Sequence, residues 1–153
     1  MNTPDFHKKL IFESGSVLQT REIGKIFAAQ VVAGDVLGLI GGLGCGKTEF
    51  VRGFMEFFDA QAAVSSPTFS LINIYQSPKF PIFHFDFYRL TKKEELANVG
   101  FDEYLSGGGV CCIEWADMFP DVLPEDTTFV RFTDTGEGSR KIEIVSRPPT
   151  SVV

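Results

Sequence analysis

The run Gly41-Gly42-Leu43-Gly44-Cys45-Gly46-Lys47-Thr48 constrains this chain more tightly than any other segment. It fits GxxxxGK(S/T), a loop whose successive backbone N–H groups converge on one concavity. The apolar run Val36-Leu37-Gly38-Leu39-Ile40 precedes it, and Phe50, Phe54, Phe57 and Phe58 follow at three- and four-residue steps. Strand, glycine loop and helix is the order such a loop needs, because the helix start adds partial positive charge to the concavity. Chance alone would place the full pattern in roughly one in several hundred chains of this length. The segment therefore predicts a polyphosphate cradle. Gly42, Leu43, Gly44, Cys45 and Gly46 form its loop, Lys47 reaches the terminal phosphates, and the Thr48 hydroxyl serves Mg²⁺.

The chain of 153 residues has the length of one domain, and its 44% hydrophobic and 22% charged residues exclude a disordered polymer. Sixteen phenylalanines predict a core of aromatic packing. The net charge of −6 has the wrong sign for a surface that neutralises nucleic-acid phosphates unaided. None of the three cysteines has metal-site spacing, and Cys111 and Cys112 sit side by side in an apolar run, which reads as buried thiols in a reducing compartment. The first residues lack a signal-peptide core and no run approaches 18 apolar residues, so a cytoplasmic protein without a membrane segment is expected.

Residues 1–9 read as a flexible lead-in, 10–146 as the domain and 147–153 as a flexible tail. Leu10–Phe12 reads as a first strand, and Ser16 with Gln19 as a capping box for a helix that runs through Val31. The strand 36–40, the glycine loop and a helix over 48–58 follow. Phe69–Tyr75 has strand composition. In Ile82–Tyr88 the residues Phe83, Phe85 and Phe87 share one face, opposite His84, Asp86 and Tyr88. Thr91 and Glu94 predict a second capped helix to Val99. Val110–Ile113 reads as a buried strand, and Phe129–Phe132 with Ile142–Val145 as a closing hairpin. The whole predicts an α/β fold of P-loop NTPase type, a mixed central sheet flanked by helices.

A phosphate cradle needs a carboxylate opposite it for the metal. Glu114, at the end of the apolar run 110–113, is the candidate, and Thr48 with Glu114 suffices for Mg²⁺, which keeps several waters. Asp86 is the candidate for orienting an attacking water or for an outer contact to the metal, and His84 reads as its support. Trp115, beside Glu114, is either core or the flank of a nucleotide or partner surface.

Together these motifs resemble the bacterial TsaE (YjeE) family, small P-loop ATPases of the threonylcarbamoyl modification of adenosine in tRNA. The resemblance rests on Gly41–Phe50, SPTF at Ser66–Phe69 with Leu71, Asn73 and Tyr75, His84–Leu90, the Glu94–Leu105 pattern, and Ile113–Trp115. It implies ATP and Mg²⁺ as ligands, Thr48 and Glu114 at the metal, Thr68 as a sensor of the γ-phosphate, Asp86 assisting hydrolysis, and Arg140 at the nucleotide. It also implies TsaD and TsaB as partner proteins, with tRNA met only through their complex. A small-molecule kinase and a nucleotide-gated binding module without turnover are the competing readings.

The sequence departs from the family at Gly42, Cys45 and Glu49. The third departure is the consequential one. A carboxylate roughly 6 Å from a phosphate would cost about 2–3 kcal/mol at an effective dielectric near 20. The helix dipole returns only about 0.3–1 kcal/mol. Weaker ATP binding than with Thr is expected unless Glu49 turns away or metal neutralises the phosphates.

Overall fold

The computed structural model describes residues 8–42, 44, 46–62 and 71–146. These form one mixed sheet of eight strands: β1 (Lys8–Ser14), β2 (Val36–Ile40), β3 (Gln61–Ala62), β4 (Ile72–Gln76), β5 (Ile82–Asp86), β6 (Val110–Glu114), β7 (Thr128–Gly136) and β8 (Ser139–Ser146), in the spatial order β1-β8-β7-β2-β6-β5-β4-β3. The central strands β7, β2, β6 and β5 run parallel, while β8 and β1 on one side and β4 and β3 on the other add antiparallel edges. The expected α/β architecture with a mixed sheet is the one observed.

Alternation along the buried strands divides the core in two. Leu37, Leu39, Val110, Cys112 and Ile82 face helices α1 (Val17–Ala28) and α2 (Lys47–Phe57), with Phe27, Phe50 and Phe54 beneath them. Val36, Cys111, Ile113, Phe83 and Phe85 face the short helices α3 (Glu95–Asn98) and α4 (Phe101–Leu105). Phe87 joins that second cluster, so the three phenylalanines of the alternating segment do share a face. Burial pushes the Cys111 thiol up to about 12 and raises Cys112 further, which makes both inert apolar fillers.

Two glycines set the spacing of the long helices. A Cβ on Gly53 would lie 1.9 Å from the carbonyl oxygen of Arg21, and one on Gly24 would lie 2.2 Å from that of Phe50. Each helix therefore presses its backbone into the other at a position where no side chain fits. Glycine costs a helix interior about 1 kcal/mol against alanine, so its presence in both was a legible sign of close approach.

Several boundaries differ from expectation. β1 starts at Lys8 rather than Leu10, because its pairing with β8 runs from Lys8–Ser146 to Ser14–Arg140, so the lead-in read over 1–9 gives up Lys8 and Lys9 to the sheet. Ser16 caps α1 as read, accepting from the Gln19 N–H, and Gln19 Oε1 accepts from the Gly15 N–H. The helix closes at Ala28 because Gln30 and Val31 bond three residues back, yet Val31 remains in the core. Glu95, not Glu94, accepts from both the N–H and the hydroxyl of Thr91. The following turns bond three residues back, so α3 has only four residues. The helix stops before Gly100 as expected, and Gly100, at φ +76°, then redirects the chain into α4, a helix that the sequence reading did not include. The tail over 147–153 and residues 69–70 of the expected strand lie outside the described residues.

Candidate functional site

The parallel strands all present their C-terminal ends on one edge, where ligands of open α/β sheets bind. β2 ends there in the glycine loop, β6 ends in Glu114 and β5 in Asp86. Register places Leu39 beside Glu114 and Glu114 beside Asp86. β8 begins at the same edge and contributes Arg140. The result is a hollow of about 440 Å³ lined by Gly44, Gly46, Lys47, Thr48, Asp86, Glu114 and Arg140, with Val17, Glu49, Tyr88 and Trp115 completing its wall.

Gly44 and Gly46 take φ values of +74° and +104°, conformations that disfavour any side chain. Gly46 also precedes α2 without a side-chain cap, so the helix start is open toward the hollow. A Cβ on Gly46 would lie 2.4 Å from Arg140 Nη1, which brings that guanidinium directly against the loop. Arg140 Nε is buried and has no hydrogen-bond partner among the described residues, while one of its terminal nitrogens donates to the Gly138 carbonyl. Lys47 is buried, donates to the Gly41 carbonyl at 2.6 Å, and lies 3.6 Å from the centre of the Trp115 ring. A cation over an indole face gains about 0.5–2 kcal/mol.

Trp115 holds φ +59°, a conformation that costs a bulky residue about 1–3 kcal/mol. Its ring stacks on Tyr88 at 4.7 Å between centroids and carries the Lys47 ammonium on it. The sole tryptophan thus flanks the hollow and also packs against the second core cluster, so the structure does not separate the two alternatives left open for it.

His84 does not support Asp86. Its Nε2 donates to Glu114 Oε2 at 2.7 Å, because positions 84 and 114 are diagonal neighbours on one face of the β5–β6 pair, with His84 opposite Cys112. Burial would raise the Glu114 carboxyl. The hydrogen bond and charge of His84, with the Lys47 ammonium, outweigh it and hold the carboxyl below its ordinary value. Asp86 instead accepts from the Tyr88 N–H at 3.1 Å and pairs with Arg89 at 3.5 Å.

Glu49 lies in the wall, not turned away from the hollow, but its carboxylate is clasped. Arg21 Nη2 and Nε donate to one oxygen at 2.8 and 3.2 Å, and Arg52 approaches the other at 3.4 Å. The hydrogen bond from Arg21 holds this carboxyl below its ordinary value. The expected repulsion assumed an uncompensated charge, and that premise does not hold. Nothing in the local sequence pattern pairs position 21 with 49; the helix crossing does.

Most candidate residues therefore share one hollow. Leu43, Cys45 and Thr68 lie outside the described residues. Among the described residues no group of three or more His, Cys, Asp or Glu is arranged to hold a metal ion. No helix among them is long and apolar enough to cross a membrane.

The family model for the threonylcarbamoyl adenosine biosynthesis protein TsaE matches residues 14–142. This chain belongs to the TsaE family. The tRNA threonylcarbamoyladenosine biosynthesis protein TsaE of Bacillus subtilis is 38% identical over 135 residues, 88% of this chain and 84% of that protein. The Treponema pallidum protein of the same name is 34% identical over 131 residues, 86% of this chain and 96% of its own. The crystal structure of Bacillus subtilis YdiB superposes with a TM-score of 0.77 at 32% identity, covering 95% of this chain and 90% of that one. Family membership ties the chain to threonylcarbamoyladenosine synthesis on tRNA.

Proposed function

We propose that this TsaE-family chain is a Mg²⁺-dependent ATPase that supports threonylcarbamoyl transfer to adenosine in tRNA together with TsaD and TsaB. One observation carries the reading: Lys47, Arg140 and the open start of α2 face the carboxylates of Glu114 and Asp86 across a single hollow. Two cations and a helix N-terminus suit an anionic polyphosphate. Arg140 Nε, without a partner among the described residues, is a donor that such a ligand would satisfy. The oxygens of Thr48 and Glu114 suit a hard cation, and Mg²⁺ binds through few protein ligands plus phosphate, in keeping with the sparse acidic set. Mg²⁺, when bound, neutralises charge on the transferring phosphoryl group.

In this reading Lys47 leaves the Gly41 carbonyl for phosphate oxygens, and His84 fixes the Glu114 carboxylate in its orientation. Asp86 orients the attacking water. Thr68 is assigned to the γ-phosphate on family resemblance. With a net charge of −6 the protein meets tRNA through its partners rather than directly.

Phosphate release from ATP and Mg²⁺, measured alone and with TsaD and TsaB, tests the reading. Hydrolysis should rise sharply with the partners. Transfer to an added acceptor would make the protein a kinase, and no turnover under either condition would leave a binding module. Lys47→Ala should lower ATP affinity about ten- to a hundredfold. Glu114→Ala should reduce turnover more than affinity.

A further inference from the structure

Glu49 places a carboxylate in the wall of an anion cradle, within the first turn of the helix that opens it. The Arg21 fork closes on one of its oxygens from the neighbouring helix, with Arg52 at the other. The contacts continue outward: Arg21 Nη1 stands 3.9 Å from Glu56, and Lys25 pairs with Glu56 at 3.4 Å. The carboxylates of Glu49 and Glu56 thus meet three cations: Arg21, Arg52 and Lys25. Arg21 can reach Glu49 only because α1 and α2 touch backbone to backbone at Gly24 and Gly53.

We infer that Arg21 is a positioning residue of the phosphate site, which acts through Glu49 by cancelling its charge and holding its carboxylate on the α1 side. The inference rests on the nucleotide reading of the hollow. Arg21 itself is absent from the lining, so its effect on a bound polyphosphate is indirect. It also assigns a role to the α1–α2 crossing, which sets the charge of the cradle as well as packing the core. Position 49 tolerates an acid here because position 21 carries a fork that binds it bidentately to one oxygen.

Equilibrium dialysis of labelled ATP with Mg²⁺ tests this in a cycle of four proteins: wild type, Arg21→Ala, Glu49→Thr and the double variant. An uncompensated charge at about 6 Å would cost on the order of a hundredfold at a dielectric near 20, and screening at a partly exposed site reduces that. Arg21→Ala should therefore lower affinity about tenfold, and adding Glu49→Thr should restore it to within about threefold of wild type. Glu49→Thr alone should not lower affinity, because it removes the acid and leaves the cations of Arg21 and Arg52 beside the cradle. Thermal melts of the ligand-free proteins report whether each variant is folded, and Arg21→Gln serves if the alanine variant is not. Equal losses for Arg21→Ala with and without Glu49→Thr would overturn the inference, as would no loss at all. A wild type that binds no ATP would overturn the nucleotide reading and the inference with it, whereas binding without coupling sinks only the inference.

Discussion

On one face of the sheet, helices of 12 and 11 residues lie against Leu37, Leu39, Val110 and Cys112. On the other, helices of four and five residues and three-residue turns cover Val36, Phe83, Phe85 and Ile113. Both faces bury phenylalanine. The long-helix face locks its helices with Gly24 and Gly53, and seats Phe50 edge-on to Phe132 at 5.5 Å. The short-helix face relies on rings against rings: Phe85 with Phe101 at 5.1 Å, Phe83 with Tyr104 at 4.8 Å. The difference is one of purpose. The locked face carries Lys47, Thr48 and Glu49 on its helix and turns Glu114 and His84 toward them, so its precision becomes the geometry of the hollow. The opposite face supplies stability and is free to use whatever short segments cover it.

The sharpest way to break that comparison is to remove a ring from each side. Phe50→Ala should cost about 3–5 kcal/mol in denaturant unfolding. Phe101→Ala should cost less, because four- and five-residue helices can collapse onto the space more readily than two helices locked by backbone contact. Equal costs would mean that the two faces are equally rigid. Next in size, Gly53→Ala forces α1 and α2 apart and should cost about 1–3 kcal/mol. It should also weaken ATP binding, since it shifts the helix that begins at Lys47. Gly100→Ala, strained by its φ of +76°, should cost about 1 kcal/mol and leave ATP affinity within about twofold.

The smallest effect is one of pH. Glu114, on the locked face, has its folded carboxyl held below the ordinary value of 4.5. Its contribution to stability is therefore complete above that value, and it is lost as pH falls through the lower folded value. Melts across the acid range should show wild type losing stability more steeply than Glu114→Gln below about pH 4.5. Parallel curves would remove the His84–Glu114 contact from the account of this face.

Local reading succeeded where chemistry is encoded over a few consecutive residues. The strand 36–40, the glycine loop, α2 and the run ending in Glu114 were each legible, because period-two burial and glycine conformations are properties of short segments. It faltered in the segment 91–105. There turns bonding three residues back shortened the expected helix to four residues, a five-residue helix after Gly100 is too short to show a period, and Thr91 had two acids within reach. His84 went to the wrong carboxylate for a related reason: Asp86 is near in sequence, but Glu114 is near in space.

What the sequence determined by itself is the site's inventory: a glycine loop that only such backbone angles permit, a lysine and threonine after it, and an acid closing an apolar strand. Tertiary structure decided who neutralises whom. Arg21 meets Glu49 across 28 positions, His84 meets Glu114 across 30, and Lys47 rests on Trp115. Charge acts through distance in space, and only the sheet register and the α1–α2 crossing convert separations along the chain into contacts of about 3 Å.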